Sequence, residues 1–190
     1  MAKKKPQTIS EVGSLTQPGS TIYNRSELKK VVEKPLLPAC EELYDKNIRT
    51  TQSSANQKDI GLYGRAFIEI DYQGLSSENK KIADDLVAKG LGGFRDKETI
   101  DVYIPVNQET TVDEVKRKSL ELAHRFKKQP VTWGMLTLKE ITDSTPLLES
   151  DRTDPEKVAK MTGLVYDKDE NIFYQSKELH KKAKEYDAKK

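Results

Sequence analysis

Asp167, Asp169, Asn171 and Glu178 fall where a twelve-residue calcium loop places its first, third, fifth and last oxygen ligands. The sixth position of such a loop needs glycine for a sharp turn, and Ile172 stands there instead. Because Ile172, Phe173 and Tyr174 read as a strand, the segment is expected to be a polar hairpin turn with its acids in solvent. A second set of carboxylates, Glu69, Asp71 and Asp101, lies on two expected strands. Three such acids converging on a divalent ion would suit phosphodiester hydrolysis. No histidine, lysine or serine pattern accompanies them, so an ordinary wet sheet face is the simpler reading.

Nucleophilic chemistry has few carriers. Cys40 is the only cysteine, His124 and His180 are the only histidines, and a thiol needs a neighbouring base or positive charge to become a thiolate. Cys40 sits with Ala39 and Leu43 on the apolar stripe of a helical pattern, which makes it a small core residue, and both histidines fall on amphipathic, charged helices. No catalytic residue, metal ligand or cofactor is therefore expected.

Residues 55–65 offer a different chemistry. Asn56, Gln57, Lys58, Tyr63 and Arg65 combine amides, an aromatic ring and two cations, a set that grips phosphates and stacks bases. The spacing matches neither a P-loop nor a dinucleotide-binding turn. The segment reads as a loop, either merely solvated or in contact with a partner, and its candidate partner-binding residues are Asn56, Lys58, Tyr63 and Arg65. Residues 177–190 hold six lysines against Glu178, Glu185 and Asp187, the pattern of a solvated terminal helix.

The elements that must position these groups follow from length and periodicity. The chain has 190 residues, enough for one core, and its 33 Lys and Arg against 31 Asp and Glu leave a net charge of only +2. No global field of either sign steers it to nucleic acid or membrane. A single cysteine excludes a disulfide framework and fits a reducing compartment. The first residues lack an apolar signal core and no long apolar run occurs, so the cytoplasm is the expected location and no membrane contact is expected.

Asn24 with Glu27, and Thr111 with Glu114, have capping-box spacing, and Ser76 and Ser176 can start further helices. Alternation over residues 66–72 and 100–106 predicts two strands, residues 48–54 a weaker one, and residues 131–141 an enclosed one. Asp154, Pro155 and Gly163 bracket a short helix before a hairpin over residues 164–174. The expected fold is α/β (α+β): an antiparallel or mixed sheet of about four strands with helices packed on one face, plus a small C-terminal helix-hairpin-helix appendage. The expected division is a flexible arm over 1–20, a core over 21–142 and the appendage over 143–190.

The stretch PLLPACEELYDKNIRTTQSSAN followed by RAFIEIDYQGLSSENKKIADDL resembles small bacterial and phage proteins in which a helix leads into a strand and then an aromatic-rich strand. It covers roughly residues 35–90. Those proteins end the first strand in cysteine-containing sequence, whereas Ser53, Ser54, Ala55 and Asn56 stand here, so no cysteine chemistry carries over. The resemblance implies a mobile-element background and no activity. The expected function is a non-catalytic macromolecular interaction protein, as a phage or mobile-element regulator or inhibitor of a host or defence complex. Its partner would be a larger protein or nucleoprotein complex. A small nucleic-acid-binding protein is the alternative, and a metal-dependent phosphodiesterase a third reading.

Overall fold

Ser76, Thr111 and Ser176 each begin a helix for the same reason: the hydroxyl accepts a hydrogen bond from the backbone N–H three residues on, satisfying a group the helix cannot. The computed structural model describes residues 5–15, 21–107 and 109–189, in two units, Met1–Gln129 and Pro130–Lys190.

In the first unit the order is α1 (Leu28–Val31), α2 (Leu37–Asp45), β1 (Thr50–Ser54), α3 (Gln57–Tyr63), β2 (Arg65–Asp71), α4 (Ser77–Ala88), β3 (Gly92–Phe94), β4 (Thr99–Pro105) and α5 (Val112–Arg125). The strands form one antiparallel sheet in the order β1-β2-β4-β3. Since β4 inserts between β2 and β3, which α4 connects, the centre of the sheet is a split β-α-β unit. Alternation along β2 and β4 sends Ile68, Ile70, Val102 and Ile104 to one side, where they meet Leu43 of α2 and Ala123 of α5. A buried polar knot secures the helix ends: the Gln129 side chain accepts from the Ser76 N–H and the Asn79 amide, both at 2.8 Å, and donates to the Gly74 carbonyl at 2.8 Å.

Three expectations are corrected in this unit. Residues 57–63 are helical, because Asn56 caps them by accepting from the Asp59 N–H at 3.1 Å and Gly64 closes them with φ 63°. The fourth strand is β3, three residues long, and not residues 131–141. Residues 7–9 are docked: Ile9 is fully buried, its N–H donates to the Thr110 carbonyl at 2.9 Å, and the Val112 N–H donates to Gln7. Residues 1–4 and 16–20 of the expected arm lie outside the described residues.

The second unit contains β5 (Met135–Leu136), α6 (Leu138–Ser144), α7 (Pro155–Thr162), β6 (Val165–Asp167), β7 (Ile172–Tyr174) and α8 (Lys177–Asp187), with strand order β5-β7-β6. Its core gathers Ile141, Leu147, Val158 and Phe173. The division of the chain thus falls after Gln129 and not after residue 142. Residues 131–141 looked enclosed on both parities because they hold a two-residue strand and then the start of α6, capped by Thr137 and Glu140.

Candidate functional site

The face of the first sheet opposite α2 and α5 carries the side chains of the other parity. Cross-strand register sets Phe67 against Tyr103 and Glu69 against Asp101, with Arg65 one step along at Pro105. Tyr103 lies over Gly93, where an added Cβ would come 2.5 Å from its hydroxyl oxygen, and the Arg65 guanidinium stacks 3.7 Å above its ring centroid. Glycine at 93 is what lets that ring lie against the sheet.

The acids of this face differ in their partners. Buried Glu69 accepts from the Thr51 hydroxyl and pairs with Arg95, which also donates to Gln52 at 2.7 Å. Asp59 accepts from the Ser54 hydroxyl and from the Asn56 amide at 2.8 Å. Asp101 has no such partner: its Oδ1 is buried and accepts no hydrogen bond. Burial pushes the Asp101 carboxyl above its ordinary range, Arg95 and Arg65 pull it back, and Glu69 adds to the rise. Gln52, Asp59, Tyr63, Arg65, Phe67, Arg95 and Asp101 line a cavity of about 160 Å³ here.

Of the four residues singled out from sequence, Tyr63 and Arg65 come together at this cavity, while Lys58 is exposed on α3 and does not line it. Asn56 is corrected: only 2% exposed, it donates to Glu33 and Ser54 and caps α3, so its polar groups are committed within the fold. Sequence reasoning missed Arg95, Gln52 and Tyr103. Strand alternation would have placed Tyr103 beside Asp101, but nothing local signals that Arg95 reaches Glu69, 26 positions away.

The other chemistries do not assemble. Glu69 and Asp101 are cross-strand neighbours, yet Glu69 is held by Arg95, and Asp71 accepts from the Gly74 N–H at 3.0 Å. Among the described residues no three His, Cys, Asp or Glu side chains are placed to hold a metal ion. Cys40 is fully buried and its thiol is pushed up to about 12, chiefly by burial, with Ser53 opposing the rise. His124 lies 3.8 Å from Glu42, and His180 bonds Asp167 at 2.9 Å. The hairpin at 165–174 forms, but Asp167 points inward to His180 and Lys184 and not to solvent.

No helix among the described residues is long and apolar enough to cross a membrane. No family model matches the chain, and no curated protein or solved structure matches it.

Proposed function

We propose that the chain is a non-catalytic interaction protein that engages a larger macromolecule, a protein or nucleoprotein, through the outer face of the β1-β2-β4-β3 sheet. One observation carries this reading: that face holds a cavity of about 160 Å³ flanked by Arg65, Arg95 and the 59%-exposed Tyr63. Aromatic and arginine side chains are the types that anchor interfaces. The narrower version, a regulator or inhibitor of a host or defence complex, rests on the resemblance of residues 35–90 alone. Nucleic acid is the second reading, favoured by the Arg65–Tyr103 stack.

The test is a photoreactive phenylalanine analogue placed in the full chain at Tyr63 and, separately, at Lys81, an exposed position on α4. Irradiation in cell extract should yield a discrete macromolecular adduct from position 63 and not from 81. Equal adducts from both positions, or none from 63, would remove the sheet face as the interaction surface.

A further inference from the structure

We infer that residues 7–12 are a strap that holds α3 in place, so that α3, with Asp59 and Tyr63 on it, forms when the strap is docked and opens when the strap is released. What this does to binding rests on the reading of the outer sheet face as the interaction surface; the coupling itself does not. Alone, α3 has little to keep it folded. It spans seven residues, whereas helices shorter than roughly 12–15 residues are marginal in isolation. Gly61 weakens its middle, and Ile60 is its one buried residue. A cavity of about 440 Å³ opens between Ile60, Ser10 of the strap and Val106 just past β4, so packing on that side is sparse.

The strap supplies what the helix lacks. The Val12 carbonyl accepts from the Gln57 N–H at 3.0 Å, and this N–H is one of the first-turn donors that a helix cannot satisfy internally. The turn at Ile9–Glu11 lies against α3 and is closed by the Thr8 N–H, which donates to the Glu11 carboxylate at 3.0 Å. The far end of the strap is fixed to the start of α5. There the Ile9 N–H donates to the Thr110 carbonyl and the Val112 N–H to the Gln7 carbonyl, both at 2.9 Å, and Thr8 pairs with Thr111. The fully buried Ile9 side chain anchors this end. Since α5 runs for 14 residues and buries Val112, Val115, Ser119 and Ala123, it is the firm end of the link and α3 the loose one. The strap thus biases α3 at its first residue, while its last residue, Tyr63, lines the 160 Å³ cavity with Asp59. Such coupling is reciprocal, so whatever strengthens α3 also holds the strap.

The experiment is amide hydrogen exchange of the full chain, read residue by residue. Ile9→Asp places a charge at the buried anchor, which releases the strap because an unpaired charge does not stay buried. In that variant the Ile60 and Gly64 amides, which donate to the Asn56 and Ile60 carbonyls, should exchange about tenfold faster, while β2, β4 and α5 beyond its first turn keep their wild-type rates. Gly61→Ala strengthens α3 without touching the strap, since a Cβ at 61 meets nothing within 4 Å. Added to Ile9→Asp it should return most of the lost protection, and alone it should slow exchange of the Ile9 N–H as well. Ile9→Val keeps an apolar anchor and should behave as the wild type. Unchanged α3 exchange in Ile9→Asp, acceleration spread equally over β2, β4 and α5, or a Gly61→Ala that restores nothing overturns the inference. Failure of the adduct from position 63 in the wild type would remove the interaction reading alone, because exchange reads the strap without any partner.

Discussion

Asp101 and Asp167 are both aspartates on strands with buried carboxylate oxygens, and the two units treat them in opposite ways. Asp167 is 3% exposed and accepts from Lys184 Nζ at 2.7 Å, His180 Nε2 at 2.9 Å and the backbone N–H groups of Asp169 and Glu170 at 3.0 and 3.3 Å. Burial alone would raise its pKa, but the bonds from Lys184, His180 and the backbone outweigh it and hold the carboxyl at about 2. Glu170 extends the network, accepting from Lys184 at 3.1 Å and from the Tyr174 hydroxyl at 3.0 Å. Asp101 has two arginines nearby and neither bonds it, so burial prevails. A fully met carboxylate is a fastening within the fold, whereas an unmet buried oxygen leaves its desolvation without a bond to offset it.

The largest expected effect tests the fastening. Asp167→Asn removes the charge that Lys184 and His180 face, and hydrogen bonds to charged groups contribute about 1.5–3 kcal/mol each. The second unit should lose about 2 kcal/mol, read as a drop of roughly 10 °C in its thermal transition. An unchanged transition would show that the network contributes nothing. The acid limb sharpens the point. A folded-state pKa below the ordinary 3.8 gives stability that is present above that value and lost as pH falls toward about 2. Denaturation of the second unit should therefore steepen over that window in the wild type and flatten in Asp167→Asn.

Asp101 should show the reverse sign and a smaller size. Its folded pKa is raised, so its favourable contribution is full below 3.8 and is lost as pH rises through the folded value. Asp101→Asn should leave the first unit unchanged or about 2 °C more stable at neutral pH, with any gain vanishing in acid. A clear loss at neutral pH would show that Asp101 is satisfied, and the contrast with Asp167 would fail.

Much of the scaffold was legible because its signals are local. The Thr111–Glu114 box, the Asp154–Pro155 start and the Gly163 stop act within one or two turns, and β2 and β4 carry their alternation in consecutive residues. Two further signals are equally local: Asn56 with Gly64 brackets α3, and Thr8 with Glu11 forms a capping box beside the buried Ile9. The three-residue β3 has no periodicity long enough to read. At the candidate site, Tyr63 and Arg65 were found by residue type, while Asn56 was misassigned because its type suits a partner contact and a helix cap equally well.

By itself the sequence determined where helices start and stop and which strand faces are apolar. Tertiary structure alone decided which acids are answered. Glu69 meets Thr51 and Arg95 from 18 and 26 positions away, and Asp167 meets His180 across 13. Helix caps and strand periods arise from backbone bonding and side-chain direction among near neighbours. The state of a carboxylate depends on charges and donors that only the folded chain brings within a few ångströms, where the electrostatic energy is large enough to matter. Asp101 and Asp167 are the same residue in sequence, and their opposite chemistry is a property of what folding places beside each.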